Sequence, residues 1–148
     1  MAVKPVPEGY HTATPYLVVP GVAKVIDFLK QAFDATEIHE RLSRPDGAIM
    51  HAEVKIGDSP IMMGEPMGQS APMPAFVYLY VADTDACYQR ALKAGATSLM
   101  EPSDQFYGDR NAGVRDSAGN VWWIGTHIED VAPEELARRA SQGAKAQG

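Results

Sequence analysis

The feature that most constrains the fold is an internal repeat. The tetrapeptide YLVV at residues 16–19 returns as YLYV at residues 78–81. An Ala-Thr pair that opens the next strand-like run begins 16 residues after the first tetrapeptide ends and 15 residues after the second. A helix-like segment lies between tetrapeptide and pair in each copy, and further strand-like runs follow. The sequence therefore predicts one β-α-β-β-β unit written twice.

This repeat sets the expected boundaries within one domain of 148 residues. The first module covers residues 10–65 and the second covers residues 76–128. A linker rich in Gly, Pro and Met joins them at residues 66–75. Residues 129–148 are expected to form a short C-terminal helix followed by a frayed tail. The fold class is α+β.

Local patterns support the same elements. Apolar residues at helical spacing predict the first helix: Val22, Val25, Ile26, Leu29 and Phe33. Asp83 or Thr84 is expected to cap a second helix that runs from Asp85 to about Ala94. A strand is expected near residues 113–116, and the DSAGN segment at 116–120 is expected to be the structural hairpin turn before the last strand.

Composition excludes several classes of function. The net charge is −6, and no cluster of Lys and Arg suggests a nucleic-acid surface. The single cysteine, Cys87, forbids an internal disulfide and a thiolate zinc site, which is typical of a cytoplasmic protein. No run approaches the roughly 20 apolar residues of a membrane span. We therefore expect a cytoplasmic protein that binds neither nucleic acid nor membrane.

The chain resembles the vicinal oxygen chelate superfamily, which has the glyoxalase and bleomycin-resistance fold. The segments that carry the resemblance are TPYLVV, DGAIMHAEVKIGDSPIMM, DQFYGDR and RDSAGNVWWIGTHIED, and their type and order are similar to the PhnB-like branch. The resemblance implies that each module is a curved four-stranded sheet with a helix, and that two modules enclose a cup. It also implies a homodimer, often with modules paired across the two chains.

In metal-dependent relatives, four side chains from the first and last strands of the modules hold a divalent ion. The resemblance assigns these positions to Thr14, Tyr78, Met62 and Trp123 of this chain. Divalent ions prefer imidazole and carboxylate ligands, and an indole ring offers no ligand atom. We therefore expect neither the standard metal site nor another cofactor. A displaced divalent ion is the alternative. A shift of register would recruit His11 or Glu65, but each lies three residues from its position, and an odd shift turns a strand residue to the opposite face.

The same register suggests a ligand-binding set. Met62, Tyr78 and Trp123 are expected to line the cup, with Trp122 packed on the opposite face against the helix layer. Tyr107 would supply a further aromatic wall. Arg110 would either bind a substrate carboxylate or phosphonate at the rim, or pair with Asp109 or Asp104 at the surface. The sequence leaves these two roles of Arg110 open.

His51 is the one candidate for catalysis. Strand alternation puts His51 and Glu53 on the same face, opposite Met50, Ala52 and Val54. That face is either exposed to solvent or turned into the cup. In the second case Glu53 would orient the imidazole as a general base.

These observations favour a protein that binds a small organic molecule in the cup without the standard metal. One alternative is an enzyme of the superfamily, a lyase, isomerase or dioxygenase, that uses a displaced metal or His51. Another is a dimeric structural or regulatory module without a ligand.

Overall fold

The duplicated pattern produces two sheets of identical topology. The computed structural model describes the backbone of residues 2–147 and the side-chain environment of residues 2–143. In the first module β1 (Tyr16–Val18) leads into α1 (Val22–Phe33), which is followed by β2 (Thr36–Ser43), β3 (Ile49–Ile56) and β4 (Ser59–Gly64). The four strands form sheet 1 in the order β1-β4-β3-β2. β1 runs parallel to β4, and the other neighbours are antiparallel.

The second module repeats this arrangement. Its elements are β5 (Phe76–Tyr80), α2 (Thr84–Lys93), β6 (Thr97–Asp104), β7 (Asp109–Arg115) and β8 (Val121–His127). Sheet 2 has the order β5-β8-β7-β6, again with a parallel first pair. The predicted α+β fold with two βαβββ modules is confirmed.

The helices follow the sequence signals closely. The five apolar residues predicted for α1 are all buried. The side chain of Asp83 caps α2 by accepting a hydrogen bond from the backbone N–H of Ala86 at 3.1 Å, so the helix begins at Thr84, one residue earlier than expected. The third helix, α3, covers Pro133–Gln147. The expected frayed tail is therefore helical as far as residue 147, and Gly148 lies outside the described residues.

The helices join the two modules. In each module the helix covers one face of its sheet. The two helices pack against each other, and residues of both modules form one buried core. At their contact the ring of Phe33 lies 5.7 Å from that of Trp122, which is fully buried. The linker contributes an isolated bridge between Met73 and Val18. No helix within residues 2–147 combines the length and apolar character needed to cross a bilayer.

We call the side of each sheet that faces away from its helix the open face. Large apolar side chains remain uncovered there. Tyr16 exposes 44%, Phe76 65% and Tyr80 68% of its surface. The open faces are thus not closed over within a single chain.

Candidate functional site

The open face of sheet 2 is aromatic. Trp123 is paired with Tyr78 across the parallel β5–β8 ladder, while Trp122 points to the core, so the predicted division of the two tryptophans is confirmed. The Trp123 ring stacks on Phe76, with ring centroids 5.5 Å apart and an interplanar angle of 23°. It also lies over Gly113, where any side chain would collide with it. Because Gly113 has no side chain, the Trp123 ring can lie directly against the sheet.

The open face of sheet 1 carries Tyr16, Met62, Glu53 and His51. Met62 pairs with Tyr16 on one side and with Glu53 on the other, which puts all three on one face. Thr14 precedes β1 and is not part of the sheet, so the expected first-strand position was wrong by two residues. Tyr16 occupies it, as Tyr78 does in the second module, because the pairing partner of Met62 determines the register.

His51 lies on this open face, which is uncovered in the single chain. Its Nε2 lies 3.0 Å from Glu53 Oε2, and its Nδ1 lies 3.0 Å from the Tyr16 hydroxyl. In the neutral imidazole, Nε2 donates to Glu53, because a carboxylate only accepts, and Nδ1 accepts from Tyr16. The expected orientation of His51 by Glu53 is present. Burial acts to raise the pKa of Glu53, but hydrogen bonds from Tyr10 and His51 outweigh it and the pKa is lowered.

The N-terminal segment completes this cluster. The Tyr10 hydroxyl donates to the other carboxylate oxygen of Glu53. His39 Nε2 lies 3.0 Å from the same hydroxyl, and His39 has a left-handed backbone with φ 64°. Burial, followed by the hydrogen bond to Glu53 and its charge, raises the pKa of Tyr10 to about 12. Tyr10 therefore stays protonated and holds the carboxylate in place.

A second carboxylate, Asp109, is buried on the open face of sheet 2. It accepts hydrogen bonds from the hydroxyls of Tyr78 at 2.7 Å and Tyr80 at 3.1 Å. His127 Nδ1 lies 3.0 Å from its other oxygen. Burial acts to raise the pKa of Asp109, but these three hydrogen bonds outweigh it and lower the pKa. Burial and the contact with Asp109 raise the pKa of Tyr78, so this phenol remains neutral.

Asn111 links Tyr78 to Tyr107. It is fully buried, and its side-chain amide donates to the Tyr78 hydroxyl at 3.1 Å and to the Tyr107 hydroxyl at 2.7 Å. Neither Asp109 nor Asn111 was among the ligand-binding residues expected from the sequence. Asp109 and Asn111 are two residues apart and so share one face of the strand, whereas Ala112 and Val114 on the opposite face are apolar. This alternation is the sequence signal that could have identified them.

Arg110 is separated from the other candidates. β7 begins at Asp109, four residues before the expected strand, because Asp109 and Arg110 pair with His127 and Thr126 of β8. Alternation then turns Arg110 to the helix side. Its guanidinium binds Asp85 of α2 through two hydrogen bonds of 2.8 and 2.9 Å, and Asp104 through one of 3.0 Å. The expected alternative of an ion pair with Asp104 agrees with this geometry, and Arg110 does not line the open face.

The DSAGN segment is the structural turn expected from the sequence. Asp116 accepts hydrogen bonds from the backbone N–H groups of Ala118 and Asn120, from the Asn120 side chain, and from the Trp122 indole at 2.9 Å. Asn120 Oδ1 accepts from the backbone N–H of Ala75 at 3.0 Å and ties the turn to the linker. These groups are buried and belong to the architecture.

A cleft of about 820 Å³ lies between the two modules. Its walls include Phe33, residues 55–59 and the N-terminal turn of α2. Of the candidate residues, only Tyr78 contributes to it. The cleft thus meets the open face of sheet 2 at Tyr78 and Tyr80, whereas Tyr107 and Trp123 on that face, and His51 and Met62 on sheet 1, lie outside it.

Comparison with known proteins identifies the family. The family model described as Glyoxalase/Bleomycin resistance protein/Dioxygenase superfamily matches residues 10–124, and the chain belongs to this superfamily. A protein of Mycobacterium bovis described as uncharacterized is 37% identical over 142 residues, which cover 88% of this chain and 93% of the relative. A protein of Mycobacterium tuberculosis with the same description is also 37% identical and is covered to 83%.

Solved structures show the same fold. TioX from Micromonospora sp. ML1 superimposes with a TM-score of 0.64 at 24% identity, over 78% of this chain and 99% of that one. The fosfomycin resistance protein FosX from Mesorhizobium loti has a TM-score of 0.59 at 17% identity, over 85% of this chain and 97% of that one. At these identities the likeness concerns the fold alone.

The four positions that the superfamily resemblance assigns to a metal hold Tyr16, Met62, Tyr78 and Trp123. An indole ring cannot ligate, a thioether is a soft ligand, and the pKa of Tyr78 is raised, so this donor set does not fit a hard or borderline divalent ion. Within residues 2–147, no three His, Cys, Asp or Glu side chains are arranged to hold a metal ion elsewhere.

Proposed function

We propose that this protein binds a small aromatic organic molecule in a cup formed by the open faces of the two sheets, without a metal at the standard position. One observation carries the proposal: aromatic side chains are concentrated on these faces, and most of them are exposed. Tyr16, Phe76, Tyr78 and Tyr80 are exposed, and Trp123 is half-buried beside Phe76. Exposed apolar surface of this kind marks a binding site for a ligand or a partner. The PhnB-like branch and a cytoplasmic location remain part of the proposal.

We further propose that the cup is completed in a homodimer, where sheet 1 of one chain faces sheet 2 of the other. Support comes from the way the modules meet within one chain. They join through α1 and α2 on the helix sides of the sheets, and the open faces stay uncovered. A second chain can cover both faces at once and bury their aromatic rings.

Binding is tested with a panel of small aromatic compounds by ligand-observed NMR. We expect the wild-type protein to bind members of the panel after treatment with a chelator, and Trp123→Ala to lose that binding. Ile128→Ala is the control, because it removes a half-exposed apolar side chain just beyond β8. One divalent ion per chain in elemental analysis, together with loss of binding on chelation, would contradict metal independence. Equal binding by wild type and Trp123→Ala would contradict the site.

Complementation tests the pairing of modules across chains. Met62→Arg damages sheet 1 and Trp123→Ala damages sheet 2, and each variant alone has no intact cup. In a mixed dimer, pairing across chains unites the undamaged sheet 1 of one chain with the undamaged sheet 2 of the other. Mixing the two variants should therefore restore binding to about half of the dimers. No recovery after denaturation and refolding of the mixture would show that each cup forms within one chain.

The hydrogen-bonded row Glu53–His51–Tyr16 supports a second candidate, a His-based enzyme of the superfamily. Glu53 orients the imidazole, and the Tyr16 hydroxyl, exposed on the open face, could exchange a proton with a substrate through Nδ1. Substrate screening for lyase, isomerase and dioxygenase turnover checks this role. Any turnover found should fall at least about 100-fold in His51→Gln, whereas unchanged turnover removes His51 from the chemistry.

A further inference from the structure

One buried polar atom on the open face of sheet 2 has no partner. Asn111 is fully buried in β7, and its Oδ1 accepts no hydrogen bond from any residue in the described part of the chain. Its Nδ2, in contrast, donates to two hydroxyls, those of Tyr78 and Tyr107. Buried carbonyl oxygens are rarely left without a donor, so an atom of this kind on a proposed binding face calls for an explanation.

The orientation of the Asn111 amide follows from its neighbours. The Tyr78 hydroxyl donates its hydrogen to Asp109 at 2.7 Å, so its oxygen can only accept from Asn111. A flipped amide would bring Oδ1 against that oxygen, with no hydrogen between two acceptors. The nitrogen therefore points to the tyrosines, and Oδ1 is the free acceptor.

Tyr107 supplies the complementary group. Its hydroxyl oxygen accepts from Asn111 Nδ2 at 2.7 Å, and its own hydrogen is donated to no residue among those described. The Tyr107 ring is 37% exposed at the edge of the open face. The site thus offers one acceptor, Asn111 Oδ1, and one donor, the Tyr107 O–H. Both adjoin the Asn111 amide nitrogen, since Oδ1 belongs to the same amide and the Tyr107 hydroxyl accepts from Nδ2.

We propose that Asn111 and Tyr107 recognise a carboxamide or lactam group on the ligand. The ligand N–H donates to Asn111 Oδ1, and the ligand carbonyl accepts from Tyr107. Oδ1 is screened from solvent, so a neighbouring side chain has to move as the ligand enters. The aromatic part of the ligand packs on Trp123 and Phe76. This inference rests on the proposed binding function and specifies the chemical class of the ligand.

Two probes with the same ring and the same carbonyl test it: 2-naphthamide and methyl 2-naphthoate, titrated by ligand-observed NMR. The amide has N–H donors that the ester lacks. We expect wild-type protein to bind the amide roughly 5- to 10-fold more tightly, the ratio that one hydrogen bond to an otherwise unpaired group gives. Asn111→Leu should make the two dissociation constants equal.

Two further variants keep the test decisive if Asn111→Leu folds poorly. Tyr107→Phe removes the donor to the carbonyl, so it should weaken both probes about 3- to 10-fold and leave their ratio unchanged. Tyr88→Phe is the matched control, because it removes a hydroxyl that binds Ser98 in the helix layer, and it should change neither constant.

The outcomes separate the two proposals. Equal affinity of wild-type protein for both probes, or a preference that persists in Asn111→Leu, overturns the amide recognition and leaves the cup in place. Absence of binding by both probes at millimolar concentration overturns the amide recognition together with the proposed aromatic cup.

Discussion

Gly113 gives the sharpest test of the aromatic open face of sheet 2, because one added methyl group at this position would displace the Trp123 ring. The Cβ of Gly113→Ala would overlap the Cζ3, Cε3 and Cη2 atoms of the Trp123 ring. The strand backbone is held on both sides by β6 and β8, so the ring has to move. Gly113 has no left-handed φ, and the substitution therefore adds no backbone strain of its own.

Two routes of relief set the expected cost. If the ring stays, overpacking costs about 1–3 kcal/mol. If the ring swings outward, it loses its stacking on Phe76, worth about 0.5–1.5 kcal/mol, and some of its burial. The route with the smaller cost determines the effect, so we expect the free energy of unfolding to fall by about 1–2 kcal/mol. At about 2–4 °C per kcal/mol for a chain of this size, the melting temperature should fall by roughly 2–8 °C.

Thermal unfolding followed by circular dichroism measures this loss, and the near-ultraviolet spectrum reports the Trp123 environment. Binding of 2-naphthamide should weaken in parallel with the spectral change. Gly143→Ala is the control, since its Cβ meets nothing within 4 Å and it lies inside α3, where alanine should stabilise by up to about 1 kcal/mol. A Gly113→Ala protein with a wild-type melting temperature and spectrum would refute the placement of the Trp123 ring over Gly113.

Two further predictions concern stability. Asp116→Ala should lower the free energy of unfolding in urea by about 3–4 kcal/mol, because it leaves the buried Trp122 indole N–H and the turn amides without an acceptor. Asp104→Ala at the surface should lower it by less than about 1 kcal/mol. A loss below about 1 kcal/mol for Asp116→Ala would contradict its structural role. Asp109, with its lowered pKa, stabilises the fold above its unfolded pKa near 4, and this contribution is lost as pH falls through the folded value. His127, whose pKa is raised by Asp109 and then Asp130, stabilises below about pH 6.5 and loses this contribution as pH rises through its folded value. Unfolding free energy should therefore be highest between about pH 4 and 6.5, with a flatter alkaline side in His127→Gln, and an unchanged alkaline slope in that variant would contradict the contact.

The sequence predicted what depends on local patterns. Repetition of the YLxV run gave the order of elements in both modules, and alternation gave opposite faces to Trp122 and Trp123. The N-cap at Asp83 and the Asp116 turn also came from local chemistry. Each of these signals is contained within a few residues, so no knowledge of distant partners was needed.

The errors concern long-range pairing. Gly108 and Asp109 look like turn residues, yet Asp109 pairs with His127 and belongs to β7. This extension turned Arg110 to the helix side and brought Asp109 and Asn111 onto the open face. Likewise, the three-residue strand β1 carries too short a pattern to fix its register. Only the pairing with Met62 shows that Tyr16, not Thr14, occupies the first-strand position on the open face.

The two open faces differ in what they can do chemically, and this difference separates recognition from reaction. On sheet 2 the carboxylate of Asp109 is already occupied by Tyr78, Tyr80 and His127, and the raised pKa of Tyr78 keeps its phenol neutral. Among the described residues, Asp109 and Tyr78 on this face therefore act as fixed acceptor and donor. On sheet 1 the row from Glu53 through His51 ends at a hydroxyl exposed on the open face, where a proton can be exchanged.

If the protein catalyses a reaction, the chemistry therefore falls to sheet 1 and ligand selection to sheet 2. Across the proposed dimer these two tasks belong to different chains. Substitution of His51 should then change turnover without changing the preference for an amide, and substitution of Asn111 should do the reverse. A variant of either residue that altered both properties equally would mean that the two faces act as one site through direct contact, and that the division between them is wrong.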